Sequence, residues 1–98
     1  MSHTAEPPDN IAYVFAQYAP RPDARYQAMP PRALVGCYVK RAFGTLTGAL
    51  EHMWVHIDGV TPDGHLVGRL NNHPVHDCGV VSGDVVPVRL DQIEAVCR

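Results

Sequence analysis

The sequence lacks an excess of either charge, a long apolar run and any paired cysteines, and each absence removes a class of protein. Eight Lys and Arg against ten Asp and Glu leave a net charge of −2 over 98 residues. With no block of like charges, a strongly basic binder of nucleic acid or of an anionic membrane surface is disfavoured. No apolar stretch approaches the ~20 residues that cross a bilayer, and the opening MSHTAEPPDN has no apolar stretch of the signal-peptide kind. The expectation is a soluble, cytoplasmic protein with no membrane and no nucleic-acid partner. Cys37, Cys78 and Cys97 are odd in number and form no Cys-x-x-Cys pair, so neither a disulfide framework nor a zinc knuckle is indicated. Cys37 reads as a small buried hydrophobe and Cys97 as an exposed thiol near the end of the chain. Serine is scarce too: Ser82 is the only one beyond the N-terminal stretch, and no nucleophile elbow surrounds it. A single tryptophan and the absence of a glycine-rich phosphate cradle argue against a base-stacking platform and against a nucleotide site.

Histidine, by contrast, is plentiful. His73-Pro74-Val75-His76-Asp77-Cys78 holds four potential ligands in six residues, yet a metal ion needs donors converging from a second segment, and none has metal-like spacing. His52 and His56 are four apart in what reads as a strand, where that separation is ~13 Å and two rings cannot share one ion. No metal and no cofactor are expected.

Hydrophobic residues make up 46% and charged residues 18%, the balance of a globular chain with room for one core. Residues 1–8 are polar and Pro-containing and read as a mobile arm. Ile11, Val14, Phe15 and Tyr18 fall at i, i+3, i+4 and i+7, one stripe of an amphipathic helix with Asp9 or Asn10 as N-cap and Pro20 and Pro22 as its stop. Residues 20–32 hold four of nine prolines and read as a wrap across the domain, so that 9–32 form helix plus wrap. From residue 33 to 98 the period switches to two, with turn residues between, as in a β meander.

Four strands are expected in that meander: Leu34 to Arg41, Ala49 to Ile57, His65 to Leu70, and Val85 to Arg89, the last at an edge because Pro87 removes a ladder donor. Leu90 to Val96 reads as a closing turn of helix. The fold class is therefore α+β, an N-terminal helix packed on a four-stranded antiparallel sheet or a small half-open barrel.

The second strand carries most of the chemistry. Met53, Val55 and Ile57 share one side, and Leu50, His52, Trp54 and His56 the other. Pairing Ile57 with Leu66 puts Val55 against Gly68 and Met53 against Leu70, and sets Trp54 opposite Arg69 with His56 beside it and Asn71 beyond. A Trp, Arg, His and Asn face has the composition of a recognition patch, and a Trp54–Arg69 cation–π pair is worth ~0.5–1 kcal/mol when exposed. The competing reading has the helix or the wrap simply covering Trp54. Glu51 shares parity with Met53 and Val55 and is expected at the core edge, accepting hydrogen bonds or pairing with Lys40.

Val39-Lys40-Arg41-Ala42-Phe43, Glu51-His52-Met53-Trp54-Val55, Gly68-Arg69-Leu70-Asn71-Asn72-His73-Pro74 and Gly83-Asp84-Val85-Val86 followed by Ile93 resemble, in order and spacing, a bacterial domain of unknown function, number 2314 (YegJ-like), over about residues 33–94. The resemblance implies a compact α+β domain of bacterial or phage origin with no settled activity. Members of that family end in a short Ile-x-Asp-Trp tail, where this chain has Ile93-Glu94-Ala95-Val96. Gly68 would permit close backbone approach, Gly83-Asp84 would suit a turn with positive φ, and Asn72 and Pro74 would shape a loop. Glu51, His52 and Asn72 are the polar members of those motifs that packing explains least.

No complete catalytic set is present, so the leading expectation is a non-enzymatic domain that binds another protein, in the manner of an inhibitor, immunity protein or adaptor. Its binding residues would be Trp54, Arg69, His52, His56, Glu51, Asn71 and Asn72. The alternatives are a small-molecule-binding domain and a minor hydrolase using His52 or His56 with Glu51. An edge strand is available for pairing into a homodimer.

Overall fold

A computed structural model describes residues 20–46 and 48–98. The expected arm and the Ile11–Tyr18 stripe lie outside the described residues.

The proline-rich segment is ordered by caps and by burial. Asp23 turns its carboxylate onto the Arg25 N–H and guanidinium, starting a single helical turn, α1 (Ala24–Gln27), while its own N–H donates to the Ile93 carbonyl at 2.8 Å. Tyr26 and Met29 pack on the core, and a 3-10 helix at Pro31–Leu34, with proline where no N–H is missed, buries Leu34 completely.

The remaining residues form one antiparallel sheet of five strands, not four: β1 (Tyr38–Gly44), β2 (Leu50–Val60), β3 (Leu66–Leu70), β4 (Val85–Val88) and β5 (Ala95–Cys97), in the order β4-β3-β2-β1-β5. The segment expected to close as a helix makes only a 3-10 turn at Leu90–Gln92. It then plants Ile93 in the core, fully buried, and crosses to the far edge to add β5 beside β1. Three residues carry too little alternation to announce a strand; β5 exists because β1 offers it a partner. The sheet is open, so the half-open barrel is not formed. Pro87 does sit in an edge strand, as its missing donor demands.

The β2–β3 register differs from the expected one by two residues. Val55 faces Leu70 and Ile57 faces Gly68, and the pairing slips between Ile57 and Gly59 before Gly59 meets Val67 and Val60 meets Leu66. The physical cause is a tighter connection than the one read from the turn residues. Thr61 N–H donates to the His65 carbonyl at 2.8 Å, and the Thr61 hydroxyl bonds Asp63 and accepts from the His65 N–H. β2 therefore runs on to Val60 and absorbs the extra residue as a bulge at Asp58. Gly68 makes this possible: a Cβ at that position would collide with the His56 carbonyl oxygen.

The two-residue shift preserves parity. The inner face carries Val39, Met53, Val55, Ile57, Leu66, Leu70, Val86 and Val88, all buried and covered by Leu34 and Ile93. Arg41 closes one end of it, with its guanidinium 3.9 Å over the Phe43 ring and Nη1 2.9 Å from the Pro87 carbonyl. β1 and β4 are three strand spacings of ~4.8 Å apart, beyond an arginine's reach across a flat sheet, so the inner face is concave. Burial, and then repulsion from Arg89, push the Arg41 pKa below its ordinary value. No helix among the described residues is long and apolar enough to cross a membrane.

Candidate functional site on the outer sheet face

The other face is built from the alternate positions of the same strands. One row runs across all five: Cys97, Tyr38, His56, Arg69 and Val85. A second sets Ala95, Lys40 and Trp54 side by side, and a third pairs Ala42 with His52. No residue at these register positions is buried, while Val39, Met53, Val55, Ile57, Leu70 and Val86 between them are.

Trp54 does not face Arg69, because the register places His56 there. The cation over the indole is Lys40, its Nζ 5.5 Å from the ring centroid; the exchange follows from Lys40 being Trp54's cross-strand partner on β1. Arg69 turns to the bulge, where Asp58 Oδ2 lies 3.2 Å from its Nε and Asp58 Oδ1 lies 3.0 Å from His56 Nδ1. The bulge thus puts one carboxylate between two basic side chains. Tyr38 meets the His56 ring edge-on at 5.0 Å. Two adjoining shallow hollows follow: one of about 340 Å³ lined by Tyr38, Trp54, Asn71 and Cys97, and one of about 460 Å³ that includes His56, Asp58, Arg69, Asn71 and Ser82.

The other three expected site residues are not free members of this face, and each bonds a neighbouring segment. Glu51 points to the inner side and accepts from the Val75 N–H at 3.0 Å and the His76 N–H at 2.6 Å, with His76 Nδ1 2.5 Å away. Burial alone would raise its pKa, but these amides and the imidazole outweigh that and hold the carboxyl below its ordinary 4.5. Of the two expected roles Glu51 takes the acceptor's, and it makes no pair with Lys40, which stands on the opposite face. His52 Nδ1 lies 2.8 Å from Glu94 Oε1, while Glu94 Oε2 accepts from the Arg21 N–H at 2.9 Å. Asn72 Oδ1 accepts the Trp54 N–H at 2.6 Å, and Asn71 N–H donates to the Trp54 carbonyl. Together the two asparagines continue the sheet bonding of β2 past the end of β3. Glu51, His52 and Asn72 therefore fasten to β2 the 71–84 loop and the segments on either side of the core.

With Glu51 inside and His52 and His56 outside, the carboxylate cannot serve either histidine as an acid–base partner. His52 and His56 each hold a different carboxylate, and His76 is spent on Glu51. Among the described residues no three of His, Cys, Asp and Glu gather into a metal-ligating group. Cys37 is buried and Cys97 exposed. Sequence reasoning missed Glu94, Asp58 and Tyr38. Asp58 sits in a stretch that reads as turn, and Glu94 in one that reads as helix; only the parity of Tyr38 with Lys40 on the first strand could have placed that residue beside His56.

The described residues thus form one open, five-stranded antiparallel sheet with little helix, short of the expected α+β class, and its polar motif residues are divided between bonds that hold loops and a half-exposed outer face. Residues 26–96 match the family described as uncharacterised proteins conserved in bacteria, domain of unknown function 2314, and the chain belongs to that family. No curated protein and no solved structure matches it.

Proposed function

We propose that the domain is a non-enzymatic protein-binding module of the bacterial cytoplasm, and that its partner docks on the outer sheet face around Trp54. The observation that carries this reading is the contrast between the two sets of motif residues. Glu51, His52 and Asn72 are engaged in holding segments together, whereas Tyr38, Lys40, Trp54, His56 and Arg69 form a contiguous half-exposed surface. Trp, Tyr and Arg are the residues that dominate interface energetics. On this face Asp58 already pairs with Arg69, and Lys40 stands over the indole, so the matching partner surface is apolar or aromatic with an acidic residue opposite Lys40. A second reading, a small planar ligand stacked on Trp54, is favoured by the 340 Å³ hollow at Tyr38, Trp54, Asn71 and Cys97.

Comparative capture from a bacterial lysate tests the first reading. A protein retained by the wild type should be lost with Trp54→Ala and with Arg69→Glu, and kept with Arg89→Glu on the other side of the domain. Equal capture by all four overturns it. Small-molecule shifts in Trp54 fluorescence without any captured protein would favour the second.

A further inference from the structure

We infer that the chain pairs with a second copy of itself through the free side of β5, the two copies meeting antiparallel at Val96 around a two-fold axis. The pairing owes nothing to the reading of the outer face as a docking surface and goes beyond it.

The first support is where the backbone groups of β5 point. Ile57 N–H donates to the Cys37 carbonyl at 2.9 Å, so Cys37, and by alternation Val39, turn their main-chain groups to β2, while Tyr38 and Lys40 turn theirs to β5. There Tyr38 and Lys40 meet Cys97 and Ala95, which leaves the N–H and C=O of Val96 facing away from the sheet. β5 is the last strand on its side, and no described group bonds either of those Val96 atoms. A free N–H and C=O on one edge residue match the same two groups in a second copy rotated by a half-turn, each Val96 N–H donating to its counterpart's carbonyl.

The second support is the set of side chains at that seam. A half-turn about an axis normal to the sheet keeps inner face with inner face. It sets Ala95 opposite Cys97 of the second copy on the outer side, where both residues are small and uncharged. On the inner side it sets Val96 opposite its counterpart, with Cα atoms ~5.5 Å apart. Val96 already packs half-buried on its own core, so the pairing extends apolar packing across the seam.

The third is the opposite edge, which is closed. Leu70 N–H donates to the Asp84 carbonyl at 2.9 Å, so Val85, Pro87 and Arg89 are the residues turned outward along β4. Pro87 has no N–H, its carbonyl accepts from Arg41 Nη1, and the Arg89 N–H donates to Gln92 Oε1 at 2.8 Å. Devices of this kind keep a sheet edge from pairing, and Ala95-Val96-Cys97 carries neither proline nor charge. Both outer edges of the paired sheet are then β4, so assembly stops at two copies. Three residues support one short seam, and the association is accordingly weak and dependent on concentration. Where the docking reading holds, the pair presents two partner sites on one face, with the Trp54 residues five strand spacings apart, ~24 Å.

Sedimentation velocity of the full chain over a wide range of concentration tests the pairing, together with two charge variants. Ala95→Lys/Cys97→Lys sets like charges opposite one another twice across the seam, and Ala95→Lys/Cys97→Glu sets opposite charges there, with circular dichroism confirming an intact sheet in both. The wild type should rise toward twice the monomer mass as concentration increases, and the Val96 amide should gain hydrogen-exchange protection in step. The first variant should weaken that association ~10-fold or more, and the second should restore it. A wild type that stays monomeric at every concentration overturns the inference. A dimer that both variants form equally well also overturns it, because its seam lies elsewhere. Dimerisation with no captured protein would leave the pairing standing and remove the docking reading; capture by a chain that stays monomeric would do the reverse.

Discussion

The two faces of this sheet share the same strands and differ in how each residue is held. On the inner face Val39, Val55, Ile57, Leu66 and Val88 have no exposed surface, and each full burial of this kind stabilises by ~1.5–3 kcal/mol. On the outer face the residues are half-exposed and held in pairs, Lys40 on Trp54, Tyr38 on His56, Asp58 between His56 and Arg69, contacts worth at most ~1 kcal/mol each in solvent. The inner face makes the domain, and the outer face is left adjustable. Glu51 and Glu94 stand between the two regimes, as carboxylates that tie chain segments to the sheet.

The comparison is broken most directly from the inside. Ile57→Ala should cost ~2–5 kcal/mol, because a fully buried side chain leaves a cavity that its neighbours only partly fill. Denaturant unfolding measures it, and a loss under ~1 kcal/mol would mean that the inner face is not the packed core described. Gly68→Ala should also be strongly destabilising, for a different reason: the new methyl meets the His56 carbonyl and the bulge must open.

An intermediate effect belongs to Glu51. Glu51→Ala hands the exposed Val75 and His76 amides to water and should cost ~0.5–1.5 kcal/mol, with the 71–84 loop gaining amide hydrogen exchange ahead of the sheet. Because the folded carboxyl is held below 4.5, its contribution is complete above that value and disappears as the pH falls through the folded value. The wild type should therefore lose stability on acidification below pH 4.5, and Glu51→Gln should flatten that slope. An unchanged slope would show the latch to be idle.

The smallest effect is expected on the outside. Arg69→Ala should shift stability by no more than ~0.5 kcal/mol, since its ion pair with Asp58 is exposed. A loss comparable to that of Ile57→Ala would erase the distinction between the faces. On the same logic a maleimide should modify Cys97 in the native protein and reach Cys37 only on unfolding.

Much of the inner face was legible because strand parity is a local property. Met53, Val55 and Ile57 share a side whatever they pair with, and a register error of two residues leaves that side unchanged. The same error moved every specific contact on the outer face, giving the indole to Lys40 and Arg69 to Asp58. The positive φ of 93° at Gly83 and the edge position of Pro87 were legible too, since each follows from one residue's covalent geometry.

What the sequence determined by itself is the alternation of the strands, the special backbone at Gly68, Gly83 and Pro87, the burial of Cys37 and the membership of residues 26–96 in a bacterial family. What only the tertiary structure decided is the fifth strand, the bulge at Asp58, the open form of the sheet and the partners of Glu51, His52 and Asn72. Those depend on groups brought together from 18 to 42 residues apart in the chain, and a hydrogen bond over such a separation leaves no period in the sequence from which it could be read.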